Sequence, residues 1–491
     1  MPNPHSDHAS NQTSDQPQEG TNPPSGPRQG RLGLGLAWLV ILGSTVLWMA
    51  KPAILGDEEE IPNSEVSAES IPDGLLLSGA QDELMGRVAF SLYSVSGDPS
   101  AISQAEVIRG SGPAGEVAYD ILVAAMLGAD AGLEALDESE FEDDPRFELL
   151  RPAAASAFRS LADETPIPES DADVLRTRLG WFGDLACDLS DPKAMEEQSA
   201  DAMQLVIWLG VFGVIFGLAG LTGFVLGVVL LVMALLGKVR SRVEPTTHHG
   251  VYAETFAIWM LTFFGMQLLL GPLTGLAADV GVGTVEDLVL PASIVAFFAS
   301  LIALAWPAVR GVRLATMRQD VGLHFGRGVV EVFYGILAWM VAVPMLFIGA
   351  ILMVFLTWLV QSQTGETPAP SHPVQQAIAD ANFWGLLQIY VLASVAAPIV
   401  EETMFRGVFY SHLRGLMRTW AVPVAMVLAA MVSSLIFAAI HPQGLVAIPP
   451  LAGLAVGFCV AREVRGSLVA PMVAHGLSNA LVMTLNVLLT G

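Results

Sequence analysis

Apolar residues are distributed unevenly along this chain. An uncharged stretch at residues 32–50 follows Arg28 and Arg31, and long uncharged stretches return only after position 203. A helix that rises 1.5 Å per residue needs about 20 apolar residues to cross the hydrocarbon of a bilayer. We therefore predict eight C-terminal spans, at roughly 204–236, 255–277, 288–307, 332–360, 383–400, 421–440, 446–461 and 468–489.

The polar and apolar pattern divides the chain into four parts. Residues 1–31 carry almost no apolar side chains and are predicted to be a disordered tail. Residues 32–50 are predicted to be a retained transmembrane signal anchor, because a cleaved signal peptide has a shorter apolar run. Residues 55–200 have short apolar runs at helical spacing between Pro, Gly and acidic clusters, which predicts a small extramembrane helical domain. Residues 203–491 complete an all-α, polytopic membrane helix bundle.

Composition and charge narrow the class of protein. Hydrophobic residues make up 53% of the chain and charged residues only 14%, which excludes an ordinary soluble domain. Of the net charge of −25, residues 57–197 contribute 32 acidic and 8 basic side chains. Such acidity argues against a nucleic-acid partner, and it predicts either a solvated surface or a site for cations or a basic protein partner on the outer domain. Two cysteines provide neither a disulfide framework nor a thiol-rich metal site.

The charged residues between the predicted spans alternate in sign along the chain. Successive groups are Lys238, Arg240 and Arg242; Asp279, Glu286 and Asp287; Arg310, Arg313, Arg318 and Arg327; Glu366 and Asp380; Arg406, Arg414 and Arg418; and finally Arg462 and Arg465. Basic loops mark the cytoplasmic side of a membrane protein. The alternation therefore predicts a cytoplasmic N-terminus, nine spans counting the anchor, and an acidic domain on the outer side.

A few ionisable and amide side chains lie in or at the end of the apolar spans, where they are costly and commonly functional. They are Glu401, Glu402, Arg406, His441, His475 and Asn479. Residues four apart share a helix face, so we expect Glu402 to pair with Arg406 and His475 to lie beside Asn479. Glu401 then remains available for chemistry.

Two hydrolytic schemes fit these side chains. In the first, Glu401 and His441 activate a water molecule while His475 and Asn479 donate hydrogen bonds to an oxyanion. In the second, Glu401, His441 and His475 are candidate ligands of a divalent metal such as zinc, which activates the water. An amide is a poor transition-metal ligand, so Asn479 favours the metal-free scheme.

The depths of these residues in the membrane place a condition on either scheme. If one helix continues from about 385 to 418, Glu401 lies deep enough to reach the level of His441 and His475. If the sixth C-terminal span ended at Arg406 instead, Glu401 would lie at the cytoplasmic surface. The hypothesis of a common site therefore requires the longer helix.

These residues resemble the motifs of the CPBP family of intramembrane proteases, which contains the type II CAAX prenyl endopeptidases and bacterial Abi-type homologues. The family pattern has two adjacent glutamates followed by arginine, then phenylalanine four residues before histidine, and then histidine four residues before asparagine. Here the three motifs are Glu401 to Arg406, Phe437 to His441, and His475 to Asn479. The resemblance covers roughly the last 170 to 290 residues.

The resemblance implies hydrolysis of peptide bonds in a membrane-associated protein or peptide substrate. Glu401 and His441 would activate water, and His475 with Asn479 would form the oxyanion hole; the family has been described both as metalloproteases and as glutamate-dependent proteases. One alternative is a non-proteolytic membrane scaffold or receptor that binds a partner through the acidic domain. Another is a proton- or cation-coupled transporter, although the sequence shows no inverted repeat.

Overall fold

The computed structural model describes residues 31–51, 80–139, 141, 144–238, 240–364, 377–378 and 381–490. The predicted tail, apart from Arg31, and the predicted outer domain up to residue 79 lie outside this part of the chain. The described residues form helices, turns and loops without a β-strand, which confirms the all-α prediction.

Six principal helices form the acidic region before the membrane body. They are α2 (Ala80–Ser96), α3 (Pro113–Leu127), α4 (Ala129–Asp137), α5 (Pro145–Asp163), α6 (Glu169–Leu179) and α7 (Trp181–Asp188), with α1 (Arg31–Met49) preceding them in the chain. Their apolar faces enclose a core that includes Ile121, Phe147, Phe158 and Leu185, each fully buried. The short apolar runs of the sequence are therefore the inner faces of packed helices.

Nine further helices follow. They are α8 (Pro192–Leu235), α9 (His249–Asp279), α10 (Val285–Ser300), α11 (Leu314–Val321), α12 (Val330–Thr364), α13 (Phe383–Leu416), α14 (Val422–Ala439), α15 (Ile448–Arg465) and α16 (Val469–Thr490). With α1 included, eight helical segments of the described chain are long and apolar enough to cross a membrane. The protein is an integral, multi-pass membrane protein.

The last predicted span differs from the other eight. Helix α16 has 22 residues but is not among the eight segments, although it packs against α12 and α13 inside the bundle. Its sequence includes His475, Ser478 and Asn479. Helix α16 therefore carries two of the candidate site residues, His475 and Asn479, into the bundle.

The predicted boundary between the outer domain and the membrane body lies within one helix. Helix α8 runs for 44 residues through positions 200 and 203, and it also passes Gly220 and Gly223 without a break. A Cβ atom on Gly223 would overlap the carbonyl of Met340, so this glycine lets α8 approach α12 closely. The acidic region and the bundle are thus joined by a continuous helix.

The predicted anchor is packed into the bundle. On α1, Ala37 and Ile41 are buried, and the ring of Trp48 stacks on Phe264 with centroids 4.5 Å apart. A Cβ atom on Gly33 would lie 3.1 Å from a carboxylate oxygen of Glu254, which shows how closely α1 approaches α9. Helix α1 therefore contributes to the tertiary structure of the membrane body.

Several arginines that the charge alternation assigns to loops are in fact buried. Arg406, Arg414 and Arg462 are each at most 2% exposed, and the buried Arg465 is paired with Glu331 at 2.6 Å. Arg310 is partly exposed and is paired with Glu254. Others at the same ends of the helices are exposed, namely Lys238, Arg240, Arg242, Arg313, Arg318, Arg327 and Arg418. The predicted orientation therefore depends on this exposed set alone, and it stays a prediction.

Candidate active site

Helix α13 supplies the two adjacent glutamates, and its winding is irregular around them. It continues from Phe383 to Leu416, as the common-site hypothesis requires. The α-helical piece Ala397–Glu402 lies between two π-helical pieces, Leu392–Ala396 and Thr403–Phe409. π-Helical turns are rare in proteins and are frequent at functional sites.

Pro398 leaves a backbone carbonyl without its helical partner. The last hydrogen bond of the first π-helical piece runs from the Ala397 N–H to the Leu392 carbonyl. The next bond of this kind would need an N–H at Pro398, which proline lacks. The amide nitrogen of Asn479 on α16 donates to the Ala393 carbonyl instead, at 2.7 Å. Asn479 therefore satisfies a carbonyl that the sequence of α13 leaves unpaired.

Glu402 forms a buried cluster with Arg406 and His475. Both Glu402 and Arg406 have fully buried side chains, and the guanidinium donates to Glu402 Oε1 at 2.9 Å, which is the expected pairing. The same oxygen lies 2.9 Å from His475 Nδ1. Arg406 also donates to the Ala455 carbonyl on α15 at 3.3 Å. Arg406 thus compensates the charge of Glu402, while Glu402 fixes the imidazole of α16.

Glu401 faces the other nitrogen of the same imidazole. Its Oε2 lies 3.7 Å from His475 Nε2, which is beyond hydrogen-bond distance, and its side chain is 13% exposed. Neither Oε2 of Glu401 nor Oε2 of Glu402 has a hydrogen-bond partner among the described residues. Buried carboxylate oxygens are normally satisfied, so this pair requires an explanation.

Aromatic rings pack against the imidazoles of His441 and His475. Phe437 contacts His441 and His475, with ring centroids 4.3 Å and 5.6 Å away, and its face lies 4.4 Å from the guanidinium carbon of Arg406. Phe458 on α15 stacks on His475 at 5.2 Å. His441 lies just beyond α14, with its Nδ1 at 2.6 Å from the Phe437 carbonyl. Phe437 therefore brings all three sequence motifs into contact.

A close approach of two backbones places His475 beside the glutamates. A Cβ atom on Gly476 would lie 2.5 Å from the Ser394 carbonyl, a distance that real Cβ atoms do not show. Only glycine at this position lets α16 pack so tightly on the irregular part of α13. The glycine after the histidine was not recognised from the sequence as part of the site.

The candidate metal ligands do not fit a metal ion in this arrangement. Within the described ranges, no group of three or more His, Cys, Asp or Glu side chains has the geometry to hold one. His475 Nδ1 is bonded to Glu402, and His441 Nδ1 faces the Phe437 carbonyl. Within the described chain these side chains therefore do not form a metal site.

The predicted site residues come together on three helical segments. Glu401, Glu402, Arg406, His475 and Asn479 lie where α13 meets α16, and His441 joins them through Phe437. Sequence reasoning missed Phe458 and Gly476. Phe458 is one aromatic residue in an apolar span, and nothing in its immediate sequence distinguishes it from a core residue.

A comparison with protein families matches residues 383–481 to the type II CAAX prenyl endopeptidase Rce1-like family. The matched segment begins with α13 and contains all six predicted site residues. Comparisons with curated proteins and with solved structures give no match.

Proposed function

We propose that this chain, a CAAX-type intramembrane protease by its Rce1-like region at residues 383–481, hydrolyses peptide bonds with a water molecule activated by Glu401. The observation that carries the proposal is the position of His475 between two buried carboxylates, at 2.9 Å from Glu402 and 3.7 Å from Glu401. The unpartnered Oε2 of Glu401 and His475 Nε2 are close enough for one water molecule to contact both.

Glu401 acts as the general base in this mechanism. It takes a proton from the water as the oxygen attacks the scissile carbonyl carbon, which gives a tetrahedral oxyanion. It then passes the proton to the amine nitrogen as the carbon–nitrogen bond breaks. General acid–base catalysis of this kind typically contributes about 10²- to 10⁴-fold to a rate.

The role of His475 depends on its protonation. Glu402, ionised beside Arg406, only accepts hydrogen bonds, so Nδ1 of His475 carries a proton. Nε2 then accepts a hydrogen bond in the neutral ring and donates one in the imidazolium. Donation to the oxyanion, the role that the sequence predicts, therefore requires a proton on both ring nitrogens.

Asn479 and His441 complete the site. One amide hydrogen of Asn479 is used by the Ala393 carbonyl, which leaves the second for the developing oxyanion. His441, held against Phe437, helps to orient the water. The Glu402 and Arg406 pair positions His475, so its loss would reduce catalysis without removing the base.

The substrate is a membrane-associated protein or peptide, presented within the bilayer. The exposed basic residues at one end of the bundle support a cytoplasmic N-terminus and an outer location for the acidic region. The acidic region packs through α2 against α8 and α16. This position suits a role in admitting or selecting substrates, with the acidic region as the binding site for a protein partner.

The experiment uses the full chain in proteoliposomes with two probes. One is a farnesylated peptide ending in a Cys-aliphatic-aliphatic-X sequence, and the other is an unprenylated transmembrane peptide. We expect Glu401→Gln to reduce cleavage of the accepted probe at least about 10²-fold, because the base is lost. The matched control is Glu254→Gln, another glutamate in a span, which pairs with Arg310 away from the site.

Cleavage by Glu401→Gln at the rate of the original chain would overturn the proposal, provided that both proteins elute as a single folded species. Because the site residues do not fit a metal, we also expect cleavage to survive thorough chelation. Loss of cleavage that added zinc restores would favour the metal scheme instead.

A further inference from the structure

Arg462 is a fully buried arginine that the proposed reaction does not use. It lies on α15 and is 1% exposed, and within the described chain no carboxylate lies within ion-pair distance of it. Its guanidinium donates to three backbone carbonyls instead: that of Arg406 at 3.2 Å, that of Asp320 at 3.0 Å, and that of Gly466. A buried charge with only carbonyl partners is costly, so the arrangement requires a reason.

The three carbonyls belong to segments that end or distort a helix. Gly466 is the C-cap of α15, with φ +72, and Asp320 lies in the last turn of α11, which Gly322 caps with φ +82. Carbonyls at helix C-termini lack intrahelical partners and favour a nearby cation. Arg406 lies in the π-helical piece Thr403–Phe409 of the site helix. Arg462 thus joins two helix ends to the irregular part of α13.

Gly322 makes room for the guanidinium. A Cβ atom at this position would lie 2.6 Å from Arg462 Cζ, and the positive φ independently favours glycine. The Gly322 carbonyl accepts a hydrogen bond from the N–H of Leu468 at 3.2 Å, just before α16 begins. The contacts of Arg462 and Gly322 therefore fix two elements. They are α13 near Arg406 and the start of α16, the helix that carries His475.

We propose that Arg462 is a positioning residue for the site, holding α13 and α16 in the register that places Glu402 and Arg406 against His475. This role rests on the proposed function. The side chain of Arg406 fixes Glu402, and the carbonyl of Arg406 is fixed by Arg462, so the two arginines act in series. A shift of about 1 Å at a reacting group costs about 10²-fold in rate, which is the scale expected from loosening this contact.

The test compares Arg462→Met and Arg462→Lys in the full chain in proteoliposomes, with the probe that the original protein cleaves. We expect Arg462→Met to lower kcat about 10- to 100-fold while KM changes less than about threefold, because the base remains and the geometry is relaxed. Lysine keeps the charge but not the fork of donors, so Arg462→Lys should recover part of kcat. Hydrogen exchange should become faster at residues 403–409 and 467–475.

The matched control is the double variant Glu331→Gln/Arg465→Met. Arg465 is another buried arginine of α15, but the partners of its guanidinium, Glu331 and Tyr334, lie on α12. The control should keep its kcat and its exchange rates at residues 403–409. If Arg462→Met does not fold, Arg462→Lys provides the same comparison.

The outcomes separate this proposal from the proposed function. A folded Arg462→Met or Arg462→Lys protein with kcat within twofold of the original would overturn the positioning role while leaving the protease intact. Absence of cleavage by the original chain would overturn the proposed function. In that case the exchange data decide the role of Arg462, and unchanged exchange at residues 403–409 would reject it.

Discussion

Two buried glutamates, Glu463 on α15 and Glu402 on α13, are paired with arginines of α13 in different surroundings. Near the basic end of α13, Arg414 lies 2.7 Å from Oε1 of Glu463 on α15, Tyr410 donates to that oxygen at 2.9 Å, and Ser241 donates to Oε2. Both oxygens of Glu463 are therefore occupied. Two turns towards the N-terminus of α13, the Oε2 atoms of Glu401 and Glu402 have no partner among the described residues.

The occupancy of the carboxylate oxygens distinguishes structural polar groups from chemically available ones within one bundle. A carboxylate with every oxygen occupied holds its helices together and has no capacity left for a ligand. A carboxylate with an unoccupied buried oxygen is costly unless a substrate or water uses it. By this criterion the Glu463 cluster is structural, and the Glu401 and Glu402 cluster is the one to which we assign the proposed chemistry.

The largest effects should come from neutralising one carboxylate in each cluster. Glu402→Gln should reduce cleavage about 10²-fold or more per folded molecule, because His475 loses the acceptor that fixes its orientation. Glu463→Gln leaves Arg414 buried without its charge partner, which should destabilise the protein by about 3 kcal/mol or more. Cleavage per folded molecule should be unchanged in Glu463→Gln.

Measurement of the folded fraction by size-exclusion chromatography after heating, together with cleavage rate, separates the two variants. If Glu463→Gln and Glu402→Gln lose the same share of the cleavage rate per folded molecule, the distinction between a structural and a chemical cluster is wrong. The distinction is also wrong if Glu402→Gln only lowers thermal stability.

The sequence predicted which polar side chains lie near one another better than it predicted the winding and packing of the helices that carry them. Spacing of four residues correctly predicted that Glu402 would bind Arg406, since that contact lies within one helix. It did not predict that Arg406 and Arg414 would be buried, because their carbonyl and carboxylate partners come from α15. From hydropathy alone, both arginines are therefore expected in a loop, and the length of α13 is not determined.

The π-helical winding around Ala397–Glu402 was also beyond sequence reasoning. Pro398 marks an irregularity, but only the tertiary structure shows that Asn479 donates to the carbonyl left without a partner. The tight contact at Gly476 depends on the same winding, since it is the Ser394 carbonyl that this glycine faces. The local sequence pattern identifies residues such as Pro398 as unusual, but their contacts depend on the packing of other helices.

A smaller effect should follow from moving the two site helices apart. In Gly476→Ala the new methyl group must displace the Ser394 carbonyl, because its Cβ would lie only 2.5 Å away. We expect about a 10-fold loss of cleavage, as His475 moves away from the carboxylates by a fraction of an ångström. Measurement of kcat and KM on the same probe checks this.

Gly349→Ala is the control for that variant. Its Cβ would overlap the Pro449 carbonyl, at a close contact that involves neither Glu401 nor His475. The control should lose stability, by about 1 to 3 kcal/mol, and keep its cleavage rate per folded molecule. Equal losses of rate in the two alanine variants would show that tight packing in general, and not the Gly476 contact, limits catalysis.

The smallest effect on cleavage is expected for Asp120 in the acidic region. This residue tests the comparison most strictly, because it is a buried carboxylate outside the α13 cluster. It lies on α3, is fully buried, and has no hydrogen-bond partner for either oxygen among the described residues. Burial, with a contribution from the charge of Glu116, raises the pKa of Asp120 to about 7, while Arg109 opposes the shift. The charged groups that influence Asp120 among the described residues are Glu116 and Arg109, without an imidazole, so we expect a structural cost without catalysis.

The sign of the pH dependence follows from the raised pKa of Asp120. Between pH 3.8 and about 7 the unfolded chain loses this proton and the folded chain keeps it, so the contribution to stability falls as the pH rises. Asp120→Asn removes the titration and should stabilise α3 by about 1 to 2 kcal/mol at pH 8, with little difference at pH 4. Hydrogen exchange at residues 113–127, corrected for the intrinsic rate at each pH, measures this. Cleavage should be unchanged; a loss of cleavage in Asp120→Asn would mean that an unoccupied carboxylate outside the α13 cluster also serves the reaction.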